Sequence, residues 1–260
     1  MKKSSFSDLI SFSWNKIFNN FKIFFDIAFI PFFIVLILTL LTSYHDEFVL
    51  RLLEKKGFGA FVRGSAQTRL IDFFLVTPLL GIFLVNWHRY VIFNGKKPWR
   101  LIKFDLSKYT WLFIWAGIKI SLVVFIPFFL LMFLSFLIFS NVLIIVIPLI
   151  LIGYGALAFF YIRLLLILPA AAAENDISIK RIFNLSKGNF WKMFFIFFLS
   201  LILTLIIIFI NGFVFEFLFP TNTNLISWFL TNLITQLLIF FYISFNAGCL
   251  SKIYIELSKR

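Results

Sequence analysis

Six long segments of the chain are almost wholly apolar. They are numbered here as spans 1 to 6 and cover residues 23–41, 73–93, 111–139, 142–168, 191–215 and 226–250. A bilayer core about 30 Å thick takes roughly 20 apolar residues of α-helix to cross. The pattern therefore predicts an all-α membrane protein with six transmembrane helices. Because the connecting segments are short, residues 1–260 are expected to form a single integral membrane domain.

Amphipathic segments precede the odd-numbered spans. Before span 1, apolar residues recur every three or four positions, at Phe6, Ile10, Trp14, Ile17 and Phe21. Polar residues fill the opposite face, which predicts a helix lying along the membrane interface. Similar segments lead into spans 3 and 5. The first opens at Pro98, a residue suited to the first helical position, and the second begins near Asp176 or Ser178, both suitable N-caps.

Short sequence motifs recur in these units. Residues 29–33 and 125–129 both read FIPFF, and FDLSK at 104–108 returns as FNLSK at 183–187. Each even-numbered span also ends on a base beside an aromatic residue, and these bases are Arg89, Arg163 and Lys252. Such bases and aromatics are typical interfacial anchors.

The recurring order is an interfacial amphipathic helix followed by a pair of spans. It predicts three parallel repeats over approximately residues 4–94, 98–173 and 176–257. All three have the same orientation, so they would be related by a pseudo-threefold axis along the membrane normal. This differs from the inverted repeats of common transporter folds.

The placement of charge predicts the orientation. The formal net charge is +13, and most of the 24 Lys and Arg residues lie before span 1, after span 6 or between spans 2 and 3 and spans 4 and 5. Only five, between residues 51 and 69, lie on the other side. The positive-inside rule therefore predicts that both termini are cytoplasmic.

The basic surface has two interpretations. The first is contact with anionic lipid headgroups, which contributes about 1 kcal/mol of attraction to the membrane per basic residue near the surface. Nucleic-acid binding is the other, but the bases are spread over four juxtamembrane segments without a recognisable nucleic-acid module. Membrane lipids are therefore the expected partners, and nucleic acid is not.

Few residues with catalytic chemistry are present. The chain has two histidines, His45 and His88, one cysteine, Cys249, and no metal-ligand or phosphate-loop motif. A lipid-modifying enzyme would need carboxylates or histidines at headgroup level. The acidic pair Glu174 and Asp176 is better explained as a helix start. The sequence therefore predicts no catalytic site, cofactor or metal.

Lys119 is the most unusual residue, because it lies about nine residues inside span 3. Ionisable groups at such depth are costly and often functional. Two explanations stay open: the side chain snorkels to the inner interface, or it pairs with Asp26, Asn86 or a lipid phosphate. Other polar groups of spans 5 and 6 are expected to form interhelical hydrogen bonds, and these are Asn211, Glu216, Asn232, Gln236 and Asn246.

The stretch from Arg163 to Phe195 carries a family resemblance. A span ends in Arg163 and, after five residues, Pro169-Ala170, and an amphipathic segment then ends in the motif GNFW at residues 188–191. This resembles bacterial inner-membrane proteins of the YciC-like family and is similar to the membrane domain of some glycerophosphodiester phosphodiesterases. The segment NWHRYVIFNGKKP at 86–98 resembles the same group.

The resemblance implies a bacterial cytoplasmic-membrane protein with six spans and no assigned chemistry. The hydrolase domain of the fused phosphodiesterases is not expected here. His88-Arg89 is not expected to act as the catalytic pair of that domain, because no cluster of carboxylate metal ligands accompanies it.

Two functions remain as hypotheses. The first is a non-enzymatic protein that binds or moves lipid or another amphiphile, or that supports envelope machinery. The alternative is a small-solute channel or transporter. Candidate lipid-headgroup or polar-path residues are Arg89, Lys119, Arg163 and Lys252. Mitochondrial carriers are excluded, because their signature is missing after Pro31 and Pro127.

Overall fold

The structure is a computed structural model that describes residues 5–56, 72–94, 107–138, 143–174, 177–218 and 225–258. Most of the second predicted amphipathic segment, at residues 98–106, lies outside the described residues. So do Asp176 and the side chains of His45, Asn211 and Glu216. All regular structure in the described ranges is helical.

Nine α-helices are present in the described part of the chain. They are α1 (Phe6–Phe18), α2 (Phe21–Lys56), α3 (Thr77–Phe93), α4 (Lys108–Ile138), α5 (Leu143–Leu164), α6 (Ile167–Glu174), α7 (Ile179–Leu185), α8 (Phe190–Leu218) and α9 (Leu225–Ser258). A π-helical turn, Asp72–Val76, leads into α3.

Six stretches of these helices have the length and apolar composition needed to cross a membrane. They are Phe21–Thr42, Phe74–Phe93, Lys108–Leu134, Leu151–Glu174, Phe190–Phe209 and Phe229–Ser258. They correspond to the six predicted spans, so the prediction of an all-α, six-span protein is confirmed. The three parallel repeats stay a prediction.

The six spans form a closed ring in chain order. Each of α2, α3, α4, α5 and α8 packs against the next in the series, and α9 closes the ring on α2. Helix α9 also packs across the ring against α3 and receives α1 on its outer side. Helix α9 thus packs against α1, α2, α3, α6 and α8, and much of the core lies around it.

The core is rich in aromatic residues at the α2–α3–α9 junction. Phe83 and Trp87 of α3 are fully buried, and their rings lie 6.3 and 5.5 Å from that of Phe24 on α2. The indole of Trp87 donates a hydrogen bond of 2.9 Å to the carbonyl of Ser244 on α9. The buried indole N–H is therefore satisfied.

Helix α1 is amphipathic, as predicted, and begins with a capping box between Ser5 and Asp8. Its buried face consists of Leu9, Ser13 and Ile17. The Ser13 hydroxyl donates a 2.6 Å hydrogen bond to the carbonyl of Phe245 on α9. The two helices therefore approach closely through a small residue.

Span 4, predicted as one continuous segment, is broken at Leu165. The cause is Pro169, which has no N–H to donate to the Leu165 carbonyl four residues earlier. The N–H of Leu168 donates to that carbonyl instead, at 3.2 Å. The chain then turns into α6, whose alanines 170–172 are buried where α3, α4 and α9 meet.

Candidate functional site

The bases at the ends of the spans lie together at one end of the bundle, called here the basic end and defined by Lys16, Arg89, Arg163, Lys192 and Lys252. Contacts between helices bring them there: Lys16 donates to the side chain of Asn94, at the end of α3. Three of the four candidate residues from the sequence, Arg89, Arg163 and Lys252, belong to this set.

Arg89 is held between α6 and the start of α4. Its Nη1 donates a 2.9 Å hydrogen bond to the carbonyl of Ala172. Its guanidinium carbon lies 4.0 Å from the ring centre of Tyr109 and 5.5 Å from that of Phe93. The cation is thus fixed by a carbonyl and by aromatic faces.

Arg163 holds α7 against α5. Its Nε donates to the hydroxyl of Ser186 at 2.8 Å, and its Nη2 donates to the carbonyl of Phe183. The guanidinium carbon lies 3.6 Å from the ring centre of Phe183. The predicted N-cap, Ser178, starts α7, and Gly188, with φ +76°, permits the turn that follows it.

Lys252 lies against α1. Its Nζ is 4.9 Å from the ring centre of Phe12 and 3.9 Å from a carboxylate oxygen of Glu256. The other oxygen of Glu256 is 3.9 Å from Nζ of Lys192 on α8. One carboxylate therefore links two bases at the basic end.

The three bases share one kind of contact. Arg89 stacks on Tyr109, Arg163 on Phe183 and Lys252 on Phe12, so each stacks on an aromatic residue of the segment that begins the next predicted unit. The last of these contacts closes the circle from the final span to α1. This arrangement fits the predicted threefold organisation without establishing it.

Lys119 is separate from the basic end. It lies on α4, eleven residues beyond Lys108, which corresponds to a rise of about 16 Å at 1.5 Å per residue. The side chain is partly exposed. Within the described part of the chain, no ion pair or hydrogen bond joins it to Asp26 or Asn86. The structure thus offers neither of the two protein partners considered for it.

A cleft of about 490 Å³ lies between α4 and α5 and is called the α4–α5 cleft. Gly117, Val124 and Phe125 of α4 and Leu157 and Ala158 of α5 form much of its walls. Phe125 is 54% exposed, so the cleft borders the outer surface of the bundle. Polar groups are few there, with Ser121, Tyr154 and Tyr161 among the lining residues.

A second space of about 320 Å³, the inner cavity, lies between α3, α4, α5, α6, α8 and α9 and extends to the exposed Leu201. Five of its lining residues can form side-chain hydrogen bonds: His88, Tyr161, Ser200, Tyr242 and Asn246. The α4–α5 cleft and the inner cavity share Tyr161, Leu165 and Leu168 as lining residues. The two spaces therefore adjoin at the break between α5 and α6.

Hydrogen bonds order most of the polar groups of the inner cavity. The hydroxyls of Ser200 and Tyr242 lie 2.6 Å apart. His88 is fully buried, with Nδ1 2.7 Å from the hydroxyl of Ser251. Asn246 donates from Nδ2 to the Tyr242 carbonyl at 3.0 Å. The cavity is thus a hydrogen-bonding pocket set within apolar walls.

Sequence reasoning found only part of this site. Asn246 was expected to form an interhelical bond, but it donates to its own helix. Gln236 does form one, donating to Thr39 Oγ1 on α2 at 3.0 Å. Ser200 and Tyr242 were missed, because a hydroxyl in an apolar run does not show which neighbour it meets. Only the packing of α8 on α9 brings them together.

No family model, curated protein or solved structure matches the chain. In the part of the chain that the structure describes, no three His, Cys, Asp or Glu side chains group together as a metal site.

Proposed function

We propose that this six-span membrane protein binds or moves a lipid or another amphiphile without catalysing a reaction, and that the α4–α5 cleft holds the acyl chain. The observation that carries the proposal is an apolar cleft between two membrane spans that adjoins the inner cavity, whose mostly apolar walls carry five hydrogen-bonding side chains. An amphiphile likewise combines an apolar chain with a few hydrogen-bonding groups.

The surroundings of the cleft support a lipid as its occupant. Both walls belong to membrane spans, Lys108–Leu134 and Leu151–Glu174, and the exposed Phe125 side chain lies at its edge. In a bilayer, the molecules next to such a surface are lipids. A volume of about 490 Å³ lies within the range of roughly 300–1,000 Å³ for ligand pockets.

We further propose that the protein resides in a bacterial cytoplasmic membrane with both termini on the cytoplasmic side, as the charge pattern and the YciC-like resemblance suggest. The basic end would then face the anionic headgroups of the inner leaflet. Arg89 and Arg163 support this, because no carboxylate of the described residues pairs with either one. Each guanidinium has five N–H donors and uses one or two of them internally.

Two glycines provide a matched test of the cleft. Gly117 lines it, whereas Gly155 is on the exposed surface of α5 and does not line it. A Cβ added at either position meets no atom within 4 Å. Gly117→Leu would therefore begin from an unobstructed Cβ and extend its side chain into the cleft, and Gly155→Leu would place the same side chain elsewhere.

The experiment uses vesicles that contain a phospholipid with a photoactivatable group in its acyl chain. In the wild type and in Gly155→Leu, cross-links are expected at residues 120–128 and 154–161, on the cleft walls. Gly117→Leu is expected to reduce them about tenfold. Equal labelling of the two variants, or no labelling of the cleft walls in the wild type, would contradict the proposal.

A small-solute channel or transporter is the second candidate, favoured by the polar groups inside the ring. Flux of a small polar solute into liposomes, measured in parallel, separates it from the first. Flux that is abolished by Gly117→Leu or Lys119→Ala would support a channel. Lipid labelling without flux would support amphiphile binding.

A further inference from the structure

We infer that the inner cavity receives the polar end of a neutral amphiphile that carries a hydroxyl group. The inference rests on the proposed function and deepens it, because it names the chemistry of the bound head. Three features of the cavity carry it: an acceptor without a donor, a spare hydroxyl proton, and a lining without fixed charge.

The acceptor is Oδ1 of Asn246. This atom is buried and has no hydrogen-bond partner among the described residues. Its orientation is fixed by chemistry, because the amide nitrogen of the same side chain donates to the Tyr242 carbonyl, and a reversed amide would place two acceptors together. A buried acceptor without a hydrogen bond is unfavourable, so a ligand that donates to it is favoured over one that cannot.

The donor comes from Ser200 and Tyr242. Their hydroxyl oxygens share one hydrogen bond of 2.6 Å, and either one can donate it. Each hydroxyl has a single proton, so whichever one accepts keeps its own proton for another partner. No second side-chain partner for these two hydroxyls occurs among the described residues.

An acceptor and a donor on residues that line one cavity match a hydroxyl group, which both donates and accepts. A phosphate monoester or carboxylate would instead present acceptor oxygens to Asn246 Oδ1. The described residues that line the cavity include no Lys or Arg to neutralise such an anion, and an unpaired charge in an apolar site is costly. Arg89 and Arg163 of the basic end do not line the cavity.

The position of the cavity fits a molecule that enters from the side. The lining of the cavity on α8 runs from Met193 to Leu201, a rise of about 12 Å, so it reaches well into the membrane-spanning part of the bundle. Leu165 and Leu168 border both spaces. A chain in the α4–α5 cleft would therefore place its head next to Tyr161, beside the cavity that Asn246 and Tyr242 also line.

The test compares two photoactivatable probes with identical acyl chains in phosphatidylcholine vesicles. One is a diacylglycerol, and the other is its methyl ether, which lacks the donor proton. Peptides containing Ser200 or Tyr242 are expected to be labelled about 2 to 10 times more by the alcohol, as one net hydrogen bond of about 0.5–1.5 kcal/mol predicts. Phosphatidic acid with the same chains is expected to label these peptides less than the alcohol does.

Asn246→Leu removes the acceptor and is expected to make the alcohol and the ether label equally. Gln236→Leu is the matched control, because Gln236 is a buried amide on the same helix that bonds to Thr39 and does not line the cavity. This variant is expected to retain the preference for the alcohol.

Equal labelling of the wild-type protein by alcohol and ether would overturn the inference, and this result does not depend on any variant folding. So would a preference that survives in Asn246→Leu, or stronger labelling by phosphatidic acid. Failure of the proposed function gives a different result. In that case, the cleft labelling is equal in Gly117→Leu and Gly155→Leu for every lipid.

Discussion

The two sides of the ring differ in how tightly their helices pack. On one side, 39%, 50% and 44% of the residues are buried in the most apolar 18-residue parts of α2, α3 and α9. On the other, the corresponding shares are 6% for α4, 28% for the stretch of α5 and α6, and 11% for α8. We call these the packed side and the open side. The packed side supplies most of the core, while the open side leaves room for another molecule.

Two glycines show the same contrast at the scale of one atom. A Cβ on Gly248 of α9 would lie 2.2 Å from Oγ and 3.4 Å from Cα of Ser13 on α1. A Cβ on Gly117 of α4 would meet nothing within 4 Å. Glycine at position 248 is therefore needed for the close approach of two helices, and glycine at 117 leaves part of the cleft open.

The largest effect is expected for Gly248→Ala on the packed side. The Ser13 side chain cannot move aside without breaking its hydrogen bond to the Phe245 carbonyl, so α1 must shift away from α9. We expect the free energy of unfolding to fall by roughly 2–3 kcal/mol, the upper part of the range for overpacking. Reversible unfolding in mixed micelles of increasing SDS fraction measures it.

Its control is a second substitution at the contact. Ser13→Gly in the Gly248→Ala background removes the clashing atoms and is expected to recover part of the lost stability, although Ser13→Gly alone destabilises. A Gly248→Ala protein as stable as the wild type would show that α1 is not held at this distance, and the packed side would lose its defining contact.

A smaller effect is expected for Arg163→Ala on the open side. The change removes the hydrogen bonds to Ser186 and Phe183 and the stacking on the Phe183 ring. We expect a loss of about 1–2 kcal/mol and faster tryptic cleavage after Lys180 in α7. Lysine should not restore the wild-type behaviour, because it lacks the planar fork that stacks and donates together.

The matched control for this variant is Arg181→Ala. Arg181 pairs with Glu174 at 2.7 Å, but both side chains are at the surface, with 46% and 37% of their area exposed. Exposed ion pairs contribute only about 0–1 kcal/mol. Equal destabilisation by the two alanine variants would mean that the contacts of Arg163 do not fasten α7.

The fold was predictable where long-range contacts are not needed. Length and apolar composition define six spans, and the spacing from Phe6 to Phe21 defines α1. Pro169, just after the apolar run 142–168, predicts that the inner end of span 4 is loosened, but the run itself does not show where the helix breaks. Only the missing N–H of Pro169, acting on the carbonyl of Leu165, separates α5 from α6.

The candidate site was predictable only in part, for the same physical reason. Arg89, Arg163 and Lys252 stand out because bases at the ends of apolar runs are conspicuous, and the structure gathers them at one end. The hydrogen-bonding groups of the inner cavity come from α3, α5, α8 and α9. Their meeting depends on the closed ring, which no local pattern specifies.

A gain in stability is expected for Gly117→Ala on the open side. The new methyl group has free space, and alanine in a helix interior is favoured over glycine by about 0.5–1 kcal/mol. Gly155→Ala should gain a similar amount, since its Cβ also meets nothing. Destabilisation by Gly117→Ala in the SDS titration would indicate that α4 and α5 pack closely there and that no cleft exists.

The smallest effect concerns Lys16, where α1 meets the end of α3. Burial lowers the pKa of this ammonium group, so the folded protein binds fewer protons there than the unfolded chain, whose lysine pKa is roughly 10.4. The contribution of Lys16 to stability should therefore rise as the pH increases through its folded pKa towards that value.

The measurement compares how steeply the free energy of unfolding changes with pH in the wild type and in Lys16→Met, from pH 8 to about 10.5. The difference between the two slopes is used because other lysines titrate in the same range. Lys22→Met, at a position near the start of α2, serves as the control. A wild-type slope no steeper than that of Lys16→Met would mean that the Lys16 ammonium group is in water. In that case α1 would not pack against the end of α3 at Asn94.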